Sequence, residues 1–329
     1  MTYARIVGTG SYVPEKVLTN DDLSRILGEN INDFVSQVIG INERHISAEN
    51  ESTADLATNA AQQALNSAGV TANELDLIIL ATDTPEQLSP ATSVVVQQRI
   101  GAKNAGTFDI NCACAGFVTA LDTASKFIIA DRSYKNILVI GAYAMSKYLD
   151  WKDKKTATIF ADGAGAVVLQ SSEVGPGFLA SKLVADGTYA DYMGVYAGGT
   201  RMPITNEVLQ TDYWTKVRFA KRYPPEVNIE GWPAIIREVL GKCDLALDDI
   251  ALFLFTQVNV STIKEVMKSL DLPMERTHTV MQKWGYTGSA CIPMVLDDAV
   301  SAGKLEPGDN LIMCASGGGL NMACAAFRW

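Results

Sequence analysis

The chain has 329 residues, 48% of them hydrophobic and 19% charged, with 26 glycines. That is enough for about two domains around a sizeable core and too apolar for a disordered tail. Its 27 Lys and Arg against 37 Asp and Glu leave a net charge of −10, which excludes the broad basic surface that nucleic acid requires and disfavours an anionic membrane surface.

The first stretch, MTYARIVGTGSYVPEKVLTNDDL, turns through Gly and Pro before a long apolar run can build. It predicts neither a signal segment nor a membrane span, and cytoplasmic retention is the expectation. Gly8-Thr9-Gly10 is a bare G-x-G, too short for a dinucleotide fingerprint, and Gly163-Ala164-Gly165 is no stronger. Residues 53–69 carry apolar positions at helical spacing and stop at a glycine; residues 75–81 form an apolar run of strand length. A strand at 106–110, a helix at 115–130 and a strand at 136–141 follow. This alternation predicts parallel βαβ units in an α/β sheet.

The second half echoes the first. LDLIILAT (75–82) returns as DIALFLFT (249–256), and NILVIGA (136–142) as NLIMCAS (310–316), both displaced by 174 residues. Between the members of each pair lies a Cys- and Gly-containing turn that opens a helix, NCACAGFVTALDTA and GYTGSACIPMVLDDA. Two echoes at one offset indicate a duplicated α/β unit, with halves at 1–170 and 171–329. Residues 186–232, rich in Tyr, Gly, Pro and Trp, fit the repeat poorly and are expected to be a loop-bearing insertion.

The six cysteines lie mostly in apolar stretches, as buried thiols of a reducing compartment do. There is no CxxC pair, and Cys112-x-Cys114 has no second Cys/His pair nearby, so no metal site is expected. The turn Cys112-Ala-Cys114-Ala-Gly116 is the chemically pointed feature. A thiol at a helix N-terminus is favoured as thiolate by the dipole, and small neighbours admit a substrate. The residues alone leave a nucleophilic cysteine and a packed core thiol both open.

GTGSYVPEKVLTNDDL, GINERHI (40–46), CAGF (114–117), FADGAGAVVL (160–169) and the terminal ASGGGLNMACAAFRW occur together in one order. In them the chain resembles β-ketoacyl-acyl-carrier-protein synthase III of the thiolase superfamily, over almost its full length. The resemblance implies an α/β thiolase-like fold, two duplicated halves in a five-layered α-β-α-β-α arrangement. It makes Cys114 the residue that takes an acyl group as a thioester, leaving Cys112 structural. The backbone N–H groups of Cys114 and Gly318, in the run Gly317-Gly318-Gly319, would form the oxyanion hole; such preorganised donors stabilise developing negative charge. It further implies a dimer, acyl-coenzyme A or acyl-carrier protein as the thioester substrate, a small-molecule acceptor, and no metal or redox cofactor.

The chain departs from that pattern at two catalytic positions. The family's His-Gln-Ala-Asn run reads Thr256-Gln257-Val258-Asn259, and its Gly-Asn-Thr-Ser run reads Gly285-Tyr286-Thr287-Gly288. The His and Asn that assist malonyl decarboxylation are therefore Thr256 and Tyr286. Of the two histidines, His45 belongs to GINERHI, read as structural, and His278 is placed on a strand before Tyr286; neither is expected to substitute. One positioned acid–base group contributes ~10²–10⁴-fold, so efficient malonyl condensation by the usual route is not expected, while acylation of Cys114 is less affected. Tyr286 is a candidate proton donor or a pocket-shaping aromatic, and Thr256 a candidate hydrogen-bond donor.

At the family's coenzyme A clamp stand Phe34 and Val38, without the Arg; the basic residue after the second-half Asn is Ser261. Lys154 and Asn259 remain as phosphopantetheine contacts. A small residue, Ser89, occupies the place of a bulky acyl-pocket residue. The expected function is an acyltransferase or condensing enzyme that moves an acyl group from a coenzyme A or carrier-protein thioester, through Cys114, to an amine, alcohol or preformed carbanion. Fatty-acid-like, polyketide or specialised metabolite biosynthesis is its expected setting, as a homodimer. The alternatives are a non-catalytic partner in a heterodimer with an active homologue, and an ordinary fatty-acid initiation enzyme.

Overall fold

The computed structural model describes residues 2–211 and 213–329. Two sheets carry the architecture. In the first, the strands lie in the order Tyr3–Tyr12, Asp162–Ser172, Asn136–Ala144, Leu77–Ala81, Gly106–Ile110. Leu77–Ala81 is parallel to both neighbours, and its five residues LIILA are all buried, as a strand covered on both faces requires. In the second, the order is Ile250–Phe255, Asn310–Gly317, Asn321–Arg328, Phe178–Ala185, the first pair parallel and the others antiparallel. The parallel pair Leu77–Ala81 with Asn136–Ala144 and its counterpart Ile250–Phe255 with Asn310–Gly317 are the strands that echo one another in sequence.

The helices Gly116–Ala130 and Cys291–Ser301 sit between the sheets and touch strands of both. Thr53–Ala68 and Thr92–Ile100 cover the outer face of the first sheet, and Gly231–Lys242 packs on the outer face of the second. The result is a five-layered α-β-α-β-α thiolase fold. Strand alternation separates its core in two: Ile79, Ala81, Ile137 and Val139 join the central layer, whereas Ile78, Leu80, Leu138 and Ile140 meet the helix Thr53–Ala68. Close packing of the central layer depends on Gly141, where an added Cβ would stand 2.3 Å from the Ser289 carbonyl oxygen.

One stretch, Ala113–Ala130, is long and apolar enough to cross a membrane, and 61% of it is buried within the protein; it is the helix between the sheets with the turn before it. In GINERHI, the strand Glu43–Ile46 pairs with Lys16–Thr19. Arg44 is fully buried and donates to the Leu18 and Thr158 carbonyls and to Asn20 Oδ1. Burial lowers its pKa to about 10. The strand expected around His278 is absent: Thr277 makes a single bridge to Phe253, and residues 278–280 belong to no strand or helix. The side chain of Gln257 bonds this segment instead, accepting from the Val280 N–H at 3.0 Å. Residues 186–232 contain the two-stranded pair Met193–Gly194 with Arg218–Phe219 and the helices Asn206–Thr211 and Glu226–Ile229.

Candidate active site

The site begins where the strand Gly106–Ile110 ends. Ala113 takes a left-handed backbone, φ +47, a conformation that costs energy for a residue with a Cβ. The Asn111 carboxamide oxygen accepts from its N–H at 3.1 Å. One 3-10 turn, Ala113–Ala115, then leads into the helix Gly116–Ala130. Cys114 stands on that turn, 4% exposed, at the positive end of the helix dipole.

The glycine loop after Asn310–Gly317 comes against this turn from the second sheet. A Cβ on Gly317 would lie 2.4 Å from the Cys112 carbonyl oxygen and 2.7 Å from the Cys114 nitrogen, so only glycine permits the approach. On Gly318 it would meet nothing nearer than the Met193 carbonyl oxygen and the Tyr223 hydroxyl, each at 3.9 Å. The loop is thus fixed at Gly317 and open at Gly318. Both border a cavity of about 220 Å³ that also includes Cys114, Thr256 and Tyr286.

Tyr286 is 3% exposed. Its N–H donates to the Ile159 carbonyl at 3.0 Å, and its carbonyl accepts from Ala161 N–H at 2.9 Å; its ring packs on Phe160, centroids 5.7 Å apart. This holds the hydroxyl beside the Cys114 sulfur. Burial pushes the Cys114 thiol well above its ordinary pKa, the charges of Asp83 and Cys291 push it further, and the Tyr286 hydrogen bond is the side-chain contact that opposes them. Burial likewise pushes Tyr286 well up, reinforced by the neighbouring thiol. A phenol so placed keeps its proton and donates; it is not a base.

Thr256 is 1% exposed, and its hydroxyl accepts from the Ser316 N–H at 2.9 Å. Ser316 O is its own acceptor, at 3.5 Å. The side chain therefore ties the strand end Ile250–Phe255 to the residue before Gly317. The other three expected residues lie at a wider cavity of about 820 Å³, which shares Phe219, Tyr223, Val258 and Thr262 with the narrow one. There Phe34 is 61% exposed, Lys154 pairs with Glu29 at 3.1 Å, and Asn259 caps the helix Val260–Ser269 by accepting from Ser261 N–H at 2.8 Å. Cys114, Thr256, Tyr286 and Gly318 are thus brought together, with Phe34, Lys154 and Asn259 at the outer entrance.

Neither histidine borders these cavities. His278 Nε2 is 2.7 Å from an Asp298 carboxylate oxygen, and His45 Nδ1 is 2.5 Å from the Pro14 carbonyl oxygen. Among the described residues, no group of three or more His, Cys, Asp or Glu could hold a metal ion. The sequence reading passed over three residues. Tyr223, inside the insertion, accepts from the Gly319 N–H at 3.4 Å. Asp83 and Tyr143 each bury a polar atom without a partner, Oδ1 and the hydroxyl. A charge directly after the apolar run LIILAT was the signal available for Asp83.

Comparison with known proteins accords with this fold. The family model for 3-oxoacyl-[acyl-carrier-protein (ACP)] synthase III matches residues 108–187, and that for its C-terminal part matches residues 240–329. The β-ketoacyl-[acyl-carrier-protein] synthase III of Caldanaerobacter subterraneus subsp. tengcongensis is 38% identical over 333 residues, covering 99% of this chain and 98% of that protein. The crystal structure of 3-oxoacyl-[acyl-carrier-protein] synthase III from Aquifex aeolicus superposes with TM-score 0.89 at 36% identity, covering 99% of this chain and 100% of that one. The priming β-ketosynthase of the R1128 polyketide pathway gives TM-score 0.91 at 26% identity, covering 99% and 96%.

Proposed function

The chain belongs to the 3-oxoacyl-[acyl-carrier-protein] synthase III family of condensing acyltransferases, and from that premise we propose that Cys114 takes an acyl group from a coenzyme A or carrier-protein thioester and passes it to a second nucleophile. The observation that carries the assignment is the contact between the Cys114 turn and Gly317. It brings the backbone N–H of Cys114 against Gly317, the residue before the open Gly318, and the Tyr286 hydroxyl bonds the sulfur, which supports that reading. In a site closed to water such donors act on developing charge far more strongly than in solution.

The donor's pantetheine arm enters through the cavity at Phe34, Lys154 and Asn259, and its thioester meets Cys114 in the narrow one. The sulfur attacks the carbonyl carbon, the Cys114 and Gly318 N–H groups receive the oxygen, and the donor thiol leaves. Tyr286 donates to sulfur and then to the second tetrahedral oxyanion, while Thr256 holds the glycine loop in register. Thr256 and Tyr286 supply no imidazole at the position where a malonyl carboxylate would be expelled. The acceptor assigned is therefore one that needs less assistance: an amine, an alcohol or a carbanion formed beforehand. A homodimer is the proposed assembly.

The test is intact-protein mass spectrometry after incubation with acyl-coenzyme A and acyl-carrier thioesters, with Cys114→Ala alongside. A gain of one acyl mass, absent in the variant, supports the assignment. Folded wild-type protein that gains no mass from any donor refutes it and leaves a non-catalytic partner subunit as the reading.

A further inference from the structure

The insertion contributes a polar side chain to the narrow cavity at Cys114. Asn228 borders that cavity, on the short helix Glu226–Ile229 that follows Pro224 and Pro225 and packs against Val260–Ser269. Its Oδ1 is buried and has no hydrogen-bond partner. Among the described residues, no other side-chain polar atom of a residue bordering the cavity is both buried and unpartnered. Its polar neighbours are already engaged: Tyr286 with the Cys114 sulfur, Thr256 with Ser316, and Tyr223 with the Gly319 N–H. A buried acceptor left unpaired is costly, and a native fold that keeps one calls for a group to fill it.

Position indicates which half of the reaction Asn228 serves. It borders the narrow cavity with Cys114 and not the wide one with Phe34, Lys154 and Asn259, where the pantetheine arm of the donor enters. The remaining walls indicate what arrives there. Among the described residues, no Asp, Glu, Lys, Arg or His borders the narrow cavity, and Phe160, Met193, Phe219 and Leu320 give it apolar surface. An alkylamine reaches such a site at pH 7 as an ammonium ion, and a carbanion reaches it as an anion. Burying either charge without a counter-charge is expensive. An alcohol arrives neutral. Its hydroxyl donates to a carbonyl oxygen and keeps its lone pairs free for an electrophilic carbon.

We propose that Asn228 binds the hydroxyl group of a neutral, apolar alcohol at the acyl-Cys114 thioester, so that the second half of the reaction makes an ester. The proposal rests on Cys114 being the acyl-accepting residue. With its hydrogen bonded to Asn228 Oδ1, the alcohol oxygen attacks the thioester carbon, and the carbonyl electron pair moves onto the carbonyl oxygen. When the carbonyl re-forms, the carbon–sulfur bond breaks and its electron pair leaves with the sulfur. The hydroxyl proton ends on that sulfur, giving the ester and the free Cys114 thiol with no further reactant. Asn228 takes no proton, since a carboxamide is not a base. The departing thiolate serves as the base, because burial pushes the Cys114 thiol well above its ordinary pKa.

The experiment loads Cys114 from acetyl-coenzyme A, removes the donor, and adds 1-hexanol, benzyl alcohol, hexylamine or benzylamine at pH 7. Intact mass follows loss of the acetyl group, and chromatography with mass detection identifies the product. Wild type, Asn228→Ala and Asn228→Leu are compared, with thermal unfolding to show that the variants are folded. In wild type the alcohols should speed deacylation and yield the acetate ester, and the amines should not. Both variants should load Cys114 at the wild-type rate yet transfer to alcohol ~10-fold more slowly, as loss of one hydrogen bond in the transfer step requires. A purely structural role would slow loading and transfer together. Variants that transfer as fast as wild type, or that lose loading and transfer equally, overturn the proposal. So does wild type that forms amides in preference to esters, or whose deacylation neither alcohol speeds. If folded wild type gains no acyl mass from any donor, the Cys114 reading falls and this one with it.

Discussion

Gly317→Ala tests the geometry of the site without removing any reactive group. The new Cβ would stand 2.4 Å from the Cys112 carbonyl oxygen, 2.7 Å from the Cys114 nitrogen and 2.9 Å from the Ala115 nitrogen. All three are backbone atoms, which cannot rotate away as a side chain does. Ordinary non-bonded contact is roughly 3.5 Å, so the turn and the loop must part by roughly 1 Å. Overpacking of this kind costs ~1–3 kcal/mol, and a misplacement of about 1 Å in a catalytic arrangement costs ~10²-fold in rate. Acylation of Cys114 by an acyl-coenzyme A, followed by intact mass, should therefore slow about a hundredfold, with a lowered unfolding midpoint. Gly318→Ala is the control: with nothing nearer than 3.9 Å, its stability should stay within ~0.5 kcal/mol of wild type. If Gly317→Ala matched wild type in both rate and stability, the close contact between loop and turn would be wrong, and with it the placement of the Gly318 N–H.

Three further outcomes are expected. Tyr286→Phe removes the hydrogen bond that lowers the Cys114 thiol, so iodoacetamide labelling at pH 7 should slow and its midpoint move to higher pH; a bond of ~1 kcal/mol corresponds to about fivefold. Asp83→Asn should stabilise the fold at pH 7. A carboxyl at about 6 when folded and near 3.9 when unfolded binds more protons in the folded state between those values, so wild-type stability falls as pH rises from about 4 to about 6. The variant escapes that loss of about 3 kcal/mol, and denaturation curves for the two proteins should converge below pH 4. Arg44→Met leaves the Leu18 and Thr158 carbonyls and Asn20 Oδ1 without their shared donor; at ~1–3 kcal/mol for each unsatisfied acceptor, chemical denaturation should show a loss of several kcal/mol.

The amino-acid sequence by itself determined the layered α/β body. Its apolar runs at 75–81, 136–142, 249–256 and 310–316 are local patterns whose period and length specify buried parallel strands, and their common offset specified the duplication. The turn at Cys114 and the run Gly317–Gly319 were also legible, because a helix start and a glycine run are short-range signals. Their contact was not. That Gly317 touches Cys112 and Cys114 follows from two sheets facing each other across the helices Gly116–Ala130 and Cys291–Ser301, which only tertiary packing decides. The same holds for the tie between the Thr256 hydroxyl and the Ser316 N–H, and for His278, read onto a strand but placed in an irregular segment beside Asp298. Asp83 looked like any charge at the end of a strand. The burial of its Oδ1 and the lack of a partner there arise from the packing of layers around the strand end, which is not local to residue 83.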